Sequence, residues 1–336
     1  MRLFRDFAAL PAATRGAVVA LGNFDGVHRG HQAVVNAARA AADRAGAPLA
    51  VLTFEPHPRR LFSPQAAPFR LTPLRAKLRL LADLGVEHVF ALRFNRALSQ
   101  MSAERFAQDI LIQAISARHV VVGYDFVFGH QRRGNAELLG GVADAGGFEF
   151  TCVEPVSGGG RAETYSSTLV RRYLAGGEPA RAASLLGRDW EIEGRVRMGR
   201  QLGRTIGVPT ANIALGRYLR PAFGVYACHV GVPRGGGTAW IPGVANIGRR
   251  PTVDGEGELL EVHLFDFAED LYGQRLRVGL VDHLRGEAKF DGLPALKAQI
   301  ARDMEQARQI LAYRGWSGSW PDMHYAAAIR EPGAAG

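Results

Sequence analysis

Five short, continuous apolar runs divide the first half of this chain, and segments with helical periodicity lie between them. Runs of this length without polar alternation are typical of strands that are buried on both faces of a parallel sheet. Strands that alternate with helices predict a Rossmann-like α/β domain, in which ligands bind at the carboxyl ends of the strands. The predicted strands cover residues 17–21, 49–54, 87–92, 119–122 and 148–153.

Helix signals support the same architecture. Residues 32–45 are rich in alanine, Thr72 and Pro73 predict an N-cap followed by a proline at the first helical position, and Ser102 predicts another cap. Residues 178–185 predict one more helix before the pattern changes.

Beyond residue 187 the apolar residues alternate with polar ones, and Gly- and Pro-rich turns separate the alternating segments. This period of two predicts antiparallel strands, which we expect to form a small β-barrel. Residues 294–312 form an amphipathic pattern that predicts a final helix packed on the barrel. We therefore predict two domains, residues 1–186 and 187–313, and a C-terminal tail, residues 314–336. The alternating segments are residues 190–197, 224–231, 259–267 and 275–284.

The charge of the chain raises the question of a nucleic-acid partner. The formal net charge is +9 over 336 residues, and basic surfaces attract polyanions. The arginines are scattered singly or in pairs, however, and Lys77, Lys289 and Lys297 are the only lysines. We expect no nucleic-acid partner, because no basic run with interleaved aromatic residues occurs; small anionic substrates suit the charge better.

Targeting and cysteine signals are sparse. No apolar run reaches the roughly 18 residues that a membrane span needs, and residues 1–16 lack the apolar stretch of a secretory signal. Cys152 and Cys228 lie far apart without CxxC spacing, which indicates reduced thiols and not a disulfide framework. We expect a cytoplasmic enzyme without membrane association, and the sequence leaves its protein partners unknown.

Residues 22–31, GNFDGVHRGH, follow the first predicted strand and carry two histidines beside glycines. Glycines let a backbone approach a ligand closely, and a helix N-terminus offers free N–H groups to an anion. A spacing of three residues projects the imidazoles of His28 and His31 from one face of the first helical turn. The segment predicts a site for nucleotide phosphates. Two alternatives stay open on these residues alone: a capping or surface pair, and a zinc site, although no further His or Cys lies near in sequence.

The HxGH pattern of His28 and His31 resembles the signature of the nucleotidyltransferase superfamily. With its GNFDGVH lead-in, the segment is similar to the N-terminal half of the bacterial bifunctional riboflavin kinase and FAD synthetase family. This resemblance implies that both histidines act in catalysis and that their neighbours bind the phosphates of ATP, namely Gly22, Asn23, Phe24, Asp25 and Gly26.

Two later motifs lie at the ends of predicted strands. TFEPHP contains His57 between two prolines, with Phe62 just beyond, and GYDFVFG contains Asp125. The resemblance implies that these three residues lie beside the flavin. The family usually has arginine where this chain has Val127, so the chain departs from the pattern there.

SSTLVR, residues 166–171, resembles the second phosphate motif of the superfamily. Hydroxyl groups at a helix N-terminus and an arginine on the next turn can hold the β- and γ-phosphates. We expect Ser167, Thr168 and Arg171 to do so; the alternative is an ordinary helix cap.

In the second half, GRQLGRTIGVPTAN covers residues 199–212. Its glycines, Gly207 among them, suit a flap over phosphates at residues 199–207, and the PTAN element resembles the signature of riboflavin kinases. Thr210 and Asn212 supply hard oxygen ligands that suit Mg²⁺, and the resemblance implies that they also bind the phosphates of ATP. The GxxxxGK[ST] pattern of a P-loop does not occur.

Glu261 lies in the alternating segment LLEVHLFDF, on the opposite side from Leu260 and Val262. A carboxylate on a barrel strand is usually a solvated surface group. The resemblance implies instead that Glu261 is the general base that takes a proton from the ribityl hydroxyl of riboflavin. ANIGRRPT completes the likeness and places Asn246 near the flavin; Arg249 replaces a residue that is often threonine.

Taken together, the resemblance implies a bifunctional enzyme that uses ATP and Mg²⁺ to convert riboflavin to FMN, and then transfers AMP from a second ATP to FMN to give FAD and pyrophosphate. Three alternatives stay open: a flavin- or nucleotide-binding regulator without activity, an RNA-binding protein, and a monofunctional adenylyltransferase with an appended barrel.

Overall fold

The structure is a computed structural model that describes residues 1–7, 10–158, 163–199, 203, 206–252 and 255–313. These residues form two compact units. The first comprises Met1–Trp190 with Leu215–Phe223, and the second comprises Glu191–Ala214 with the residues from Gly224 onward. The tail predicted at residues 314–336 lies outside the described residues, and the boundary predicted after residue 186 stays a prediction.

The first unit is built on a six-stranded sheet in which every neighbouring pair is parallel. Its strands are β1 (Arg2–Phe4), β2 (Val18–Leu21), β3 (Leu49–Glu55), β4 (His88–Arg93), β5 (His119–Gly123) and β6 (Glu149–Val153). They lie in the order β1-β4-β3-β2-β5-β6. The five predicted strands are confirmed to within a residue at each end. Strand β1 was not predicted, because three residues are too few to show a periodic pattern.

Helices cover both faces of this sheet. The helices of this unit are α1 (Arg29–Ala45), α2 (Pro58–Phe62), α3 (Leu74–Asp83), α4 (Arg96–Ser99), α5 (Ala103–Phe106), α6 (Ala136–Gly146), α7 (Ser167–Ala175) and α8 (Pro179–Leu186). Helix α5 continues as a π-helical segment, Ala107–Ala114. Along β2, Val18 and Ala20 pack with α1 and α3, whereas Val19 and Leu21 pack with α5 and α6. Both faces of β2 are thus buried, as its continuous apolar sequence predicted.

The connectivity of the sheet marks a ligand position. The chain passes from β2 to β3 and β4 on one side and then to β5 and β6 on the other. The strand order therefore reverses between β2 and β5, and ligands of open α/β sheets bind in the crevice at the carboxyl ends of such a pair. The GNFDGVH loop follows β2 and the GYDFVFG segment follows β5.

The second unit is a closed barrel of antiparallel strands with one long helix packed on it. The strands are β7 (Trp190–Arg197), β8 (Ala211–Ala214), β9 (Gly224–Arg234), β10 (Gly237–Thr252), β11 (Gly255–Leu264) and β12 (Arg275–Arg285), in the order β10-β11-β8-β7-β12-β9. The predicted last helix is confirmed as α9 (Leu293–Tyr313), whose Ala307 and Leu311 pack with Val225 and Phe265 of the barrel unit. The predicted barrel and its helix are confirmed.

Two barrel strands, β8 and β10, have no counterpart among the predicted segments. Strand β10 contains Pro242, Gly243 and Gly248, which interrupt the apolar alternation, and β8 is only four residues long. Closure of the barrel supplies hydrogen-bond partners on both sides of each strand, so pairing overrides the weak local signal.

The cap predicted at Thr72 is wrong, whereas the cap at Ser102 is confirmed. Helix α3 begins after Pro73 without a side-chain cap, and the Thr72 hydroxyl instead donates to Asp25 Oδ1 at 3.3 Å and accepts from the Gly26 N–H at 2.8 Å. The Thr72 hydroxyl therefore binds the charged Asp25 carboxylate and not the backbone at the start of α3. Ser102 Oγ accepts from the Arg105 N–H, as a capping serine does.

Candidate active sites

His28 and His31 lie face to face at the start of α1. Their ring centroids are 3.7 Å apart and their planes differ by 22°. His28 is the N-cap residue of α1, and its Nδ1 accepts a hydrogen bond of 3.4 Å from the His31 N–H. The prediction that both rings project from one face of the first helical turn is confirmed. The capping alternative is compatible with it, because the His28 ring that caps α1 also lines a cavity.

Both imidazoles are held neutral. Burial lowers the pKa of His28 to about 4, although the Asp25 carboxylate acts to raise it. Burial, followed by the neighbouring His28, lowers the pKa of His31 as well. The Nδ1 atom of His31 is buried without a hydrogen-bond partner among the described residues. Near pH 7 each ring therefore carries one N–H that can donate to an anion. No group of three or more His, Cys, Asp or Glu that could hold a metal occurs in the part of the chain that the structure describes.

Helix α7 carries the second predicted phosphate motif. Ser166 is its N-cap and accepts from the Leu169 N–H at 3.2 Å. The Ser167 hydroxyl donates to the Asp25 carbonyl oxygen at 2.7 Å, which joins α7 to the GNFDGVH loop. Thr168 is exposed at the first turn of the helix and lines the cavity. The free N–H groups of this helix end and the Thr168 hydroxyl can both donate to a phosphate.

Asp25 positions Arg171. The Asp25 carboxylate is 1% exposed, accepts from the N–H groups of Leu71 and Thr72, and lies 2.6 Å from Arg171 Nη2. Burial acts to raise the pKa of Asp25, but the cations Arg171 and Arg70 and the Thr72 N–H outweigh it and lower the pKa below the usual value. The carboxylate stays ionised and orients the guanidinium.

Arg70 extends this buried network to the next motif. It lies 3.6 Å from Asp25 and forms two hydrogen bonds, of 3.3 and 3.0 Å, to the Glu55 carboxylate at the end of β3. Alternating negative and positive groups thus connect the three segments that carry GNFDGVH, TFEPHP and SSTLVR. Arg70 was not singled out from the sequence, because one arginine among many carries no local signal.

A cavity of about 1190 Å³ is lined by both histidines, Asp25 and Arg171. Beside the phosphate motifs, aromatic rings line it, including Phe62, Phe94 and Phe128. A large apolar lining with a few convergent polar groups is typical of a ligand site. Of the site residues predicted in the first domain, the cavity is lined by Gly22, Asn23, Phe24, Asp25, His28, His31, His57, Phe62, Asp125, Ser167, Thr168 and Arg171.

The residues predicted beside the flavin share this cavity but differ in exposure. His57 caps α2, and its ring meets that of Phe69 edge-on at 5.0 Å; burial lowers the pKa of His57 to about 4. Phe62 is 68% exposed and stands edge-on to Phe94, and Asp125 is exposed. The exposed Phe62 ring leaves an apolar face available to a planar ligand.

Gly26, unlike the four residues before it, does not line this cavity. Its N–H donates to Thr72, its carbonyl accepts from Arg188, and a side chain at this position would meet Leu71 at 2.8 Å. It has a φ of +92° in a place where the backbone packs closely, so glycine suits the turn. Direct phosphate contact by Gly26 stays a prediction.

In the barrel unit, three predicted residues lie in one row across neighbouring strands. Asn246 on β10 is the register partner of Glu261 on β11, and Glu261 is the register partner of Asn212 on β8. Paired residues on adjacent strands project from the same side of a sheet. Leu260 and Val262, which flank Glu261, are fully buried. This row, which we call the barrel row, therefore projects to the outside of the barrel.

The described part of the glycine-rich segment lies beside the barrel row. The Asn212 side chain lies so near Gly199 that a side chain there would meet its Nδ2 at 2.6 Å. His263 Nδ1 lies 2.8 Å from the Pro209 carbonyl oxygen. Thr210, the next residue in the sequence, is half-buried. Gly207 is exposed with a φ of +82°. Residues 200–202 and 204–205 of the predicted flap lie outside the described residues.

Arg197 is a barrel residue that the sequence analysis did not select. It is the register partner of Asn212 and so continues the barrel row on β7 with a cation. Its place at the end of a predicted strand was visible in the sequence, but its neighbours depend on the strand order. Lys77 and Arg188 were likewise not selected, and both contact the GNFDGVH loop.

Comparisons with known proteins match two successive parts of the chain to two different family models. Residues 10–169 match the family model described as FAD synthetase, and residues 186–311 match the model described as riboflavin kinase. A protein of Escherichia coli K12 named bifunctional riboflavin kinase/FMN adenylyltransferase is 45% identical over 311 residues, which cover 92% of this chain and 98% of that protein. A protein of the same name from Bacillus subtilis strain 168 is 36% identical over 295 residues, 86% of this chain and 91% of that protein.

A solved structure with a different title has a similar fold. The crystal structure titled macrolide-efflux protein from Streptococcus pneumoniae is 32% identical, has a TM-score of 0.79, and covers 91% of this chain and 98% of its own. No helix within the described ranges has both the length and the apolar content that crossing a bilayer requires.

Proposed function

The chain belongs to the bifunctional riboflavin kinase/FMN adenylyltransferase family, and from that premise we propose how its residues divide the two reactions. The enzyme phosphorylates riboflavin with ATP to give FMN, and it adenylylates FMN with ATP to give FAD. We assign adenylyl transfer to residues 1–186 and phosphorylation to residues 187–313.

The stacked pair His28 and His31 beside the N-terminus of α7 is the observation that carries the first assignment. In adenylyl transfer, a phosphate oxygen of FMN bonds to the α-phosphorus of ATP while the bond from that phosphorus to the bridging oxygen breaks and pyrophosphate leaves. The nucleophile is already an anion, so a protein base is unnecessary, and the site contributes orientation and charge neutralisation. Neutral imidazole N–H groups donate to the α-phosphate as negative charge develops on it.

The leaving pyrophosphate is held by the second motif. Arg171, oriented by Asp25, offers a guanidinium on the cavity wall, and Thr168 with the N–H groups at the start of α7 offers neutral donors. Ser167 serves the same group indirectly, because its hydroxyl proton is engaged with the loop carbonyl. The flavin ring lies against the aromatic lining, with Phe62, His57 and Asp125 beside it.

The barrel row carries the kinase assignment. Glu261 takes the proton from the terminal ribityl hydroxyl, whose oxygen then bonds to the γ-phosphorus of ATP as the bond to ADP breaks. Asn246 and Asn212 flank Glu261 in the register, where their amides can position the hydroxyl and the phosphates. Gly207 itself has a φ of +82°, which residues with side chains rarely adopt, and without a side chain it lets the backbone approach the phosphates.

Thr210 and Asn212 fit a magnesium ion by the chemistry of their donors. Mg²⁺ takes oxygen ligands and is commonly bound by few protein groups together with substrate phosphates. The Thr210 hydroxyl and the amide oxygen of Asn212, the register partner of Glu261, provide such a set without a dedicated cage of carboxylates. When bound, the ion would neutralise phosphate charge during transfer.

The substrates suit a cytoplasmic enzyme, since ATP is consumed in both steps. The free thiols Cys152 and Cys228 are consistent with a reducing compartment. We assign ATP, riboflavin and FMN as partners and no nucleic acid.

Chromatography of flavins tests the proposal as a whole. Incubation with riboflavin, ATP and MgCl₂ should yield FMN first and FAD second, and addition of excess EDTA should stop both products because phosphoryl transfer then lacks its counter-charge. An undiminished yield of FMN in EDTA would overturn the magnesium assignment, and the absence of either flavin product with metal present would overturn the function.

A further inference from the structure

The GNFDGVH loop is held in a conformation that its residues do not adopt by themselves. Phe24 and Val27 have φ of +48° and +45°, in the left-handed region. That region costs an L-residue roughly 1–2 kcal/mol, and a β-branched residue such as Val27 is rarely found there. Such strain persists only where the surroundings over-determine the backbone, and it clusters at functional sites.

Buried Lys77 binds the backbone at the start of this loop. Its Nζ donates to the Asn23 carbonyl oxygen at 2.6 Å and to the Thr53 hydroxyl at 3.1 Å, and Thr53 itself donates to the same carbonyl at 3.1 Å. Lys77 is 0% exposed, which is rare for lysine. Burial lowers the pKa of Lys77 to about 8, so the amine still carries its charge near pH 7.

Arg188 holds the end of the loop. Its Nη2 donates to the Gly26 carbonyl oxygen at 2.7 Å, and its Nη1 donates to the carbonyl oxygens of Val27 and Leu186 at 3.3 and 3.2 Å. Gln32 Nε2 adds a second donor to the Val27 carbonyl at 2.8 Å. Both peptide groups around the strained Val27 therefore meet a buried or half-buried donor.

The position of Arg188 in the sequence is unexpected for this task. It lies beyond the residues that match the FAD synthetase model, 10–169, and within those that match the riboflavin kinase model, 186–311. The structure nevertheless places it in the first unit, which extends to Trp190. Trp190 supports the same region, because its Nε1 donates at 2.9 Å to the carbonyl of Leu71, whose N–H binds Asp25.

We propose that Lys77 and Arg188 are positioning residues for adenylyl transfer, which fix the loop carbonyls of Asn23, Gly26 and Val27 so that His28 and His31 face the α-phosphate of ATP. Neither cation needs to touch the substrate. A carbonyl oxygen turned toward a phosphate repels it, whereas a carbonyl held by a cation leaves the N–H side of the loop for the anion. A shift of about 1 Å in such a site costs roughly 100-fold in rate.

This inference rests on the assignment of adenylyl transfer to His28 and His31, and the test uses the full-length enzyme. Steady-state adenylyl transfer is measured with FMN supplied directly, and riboflavin phosphorylation in the same preparation reports that the chain is folded. The variants are Arg188→Met, Arg188→Lys and Lys77→Met. Arg118→Met is the matched control, because exposed Arg118 also donates to a backbone carbonyl, that of Ala45, at 3.2 Å.

We expect Arg188→Met and Lys77→Met to lower kcat for adenylyl transfer by about 10- to 100-fold, with KM for FMN and the kinase rate unchanged. Arg188→Lys keeps one donor and should regain part of the loss, whereas Arg118→Met should match the wild type. If Arg188→Met retains wild-type adenylyl transfer, or if kinase activity falls by the same factor, the proposal is wrong.

His28→Ala separates failure of this inference from failure of the site assignment. Retained adenylyl transfer in His28→Ala would refute the site itself. Loss in His28→Ala with full activity in both Arg188 variants would refute only the positioning roles. Should Lys77→Met fail to fold, the graded Arg188 pair decides the outcome alone.

Discussion

The GNFDGVH loop and the barrel row both handle ATP in our proposal, but their side chains are held in place by different means. The loop is held by hydrogen bonds and ion pairs of buried charged side chains, among them Asp25 and Lys77, which are 1% and 0% exposed. The barrel row obtains its alignment from strand register, which sets Asn212, Glu261 and Asn246 side by side on the outer face. One site depends on specific long-range ion pairs and hydrogen bonds, and the other on backbone pairing.

This difference predicts how each site responds to mutation. Removal of one partner from a buried, charged network leaves the other partner unsatisfied, so damage spreads to neighbouring groups. Removal of the half-buried Glu261 carboxylate from its strand leaves the backbone ladder intact, so damage stays with the chemistry that the residue performs. Separate loss of the two activities is the clearest test of this contrast.

Glu261→Gln gives the largest expected effect. The amide keeps the size of the side chain but cannot accept the ribityl proton, so FMN formation from riboflavin should fall by about 100- to 10,000-fold. Conversion of supplied FMN to FAD should continue at the wild-type rate, as measured by chromatography. Glu305→Gln, an exposed carboxylate on α9, serves as control. Normal kinase turnover in Glu261→Gln would remove Glu261 as the base.

His28→Ala is expected to reduce adenylyl transfer by about 100- to 1000-fold, the usual loss for a donor to the transition state. The kinase rate of the same molecule should not change, because the barrel row contains no residue of the GNFDGVH loop. Equal loss of both activities in a folded variant would contradict the division into two sites.

The smallest effect concerns stability against pH. His28 has a pKa of about 4 in the folded chain and 6.5 as the ordinary value. Between these values the unfolded chain binds more protons, so stability falls as the pH is lowered from 6.5 to 4. His28→Asn keeps an effective N-cap but does not titrate, so its unfolding midpoint in urea should fall less over this range. Parallel pH curves for wild type and variant would show that burial of His28 does not contribute.

Local sequence signals were enough for much of the fold. Continuous apolar runs identified five strands of the parallel sheet, because burial on both faces removes polar residues from them. Period-two alternation identified four barrel strands, but β8 and β10 escaped, since glycines and prolines obscure the alternation and pairing with neighbours supplies the stability. The helix cap predicted at Thr72 was wrong for a related reason, because its hydroxyl binds the Asp25 carboxylate, 47 positions away in sequence.

The motifs also selected residues that line one cavity, but not how those residues are held. GNFDGVHRGH fixes the spacing of His28 and His31 on one helical turn, and that spacing is a local property of the chain. Asp25 looks like a phosphate-loop residue in sequence, whereas in the structure its carboxylate orients Arg171.

By itself, the sequence determined the two fold classes, the histidine pair and the outward position of Glu261, because helix and strand periodicities are set by nearest neighbours along the chain. Only the tertiary structure decided that Lys77 and Arg188 support one loop, and that Asn212 and Asn246 flank Glu261. Contacts of that kind depend on strand order and on burial of charge, and both arise from interactions between residues far apart in sequence.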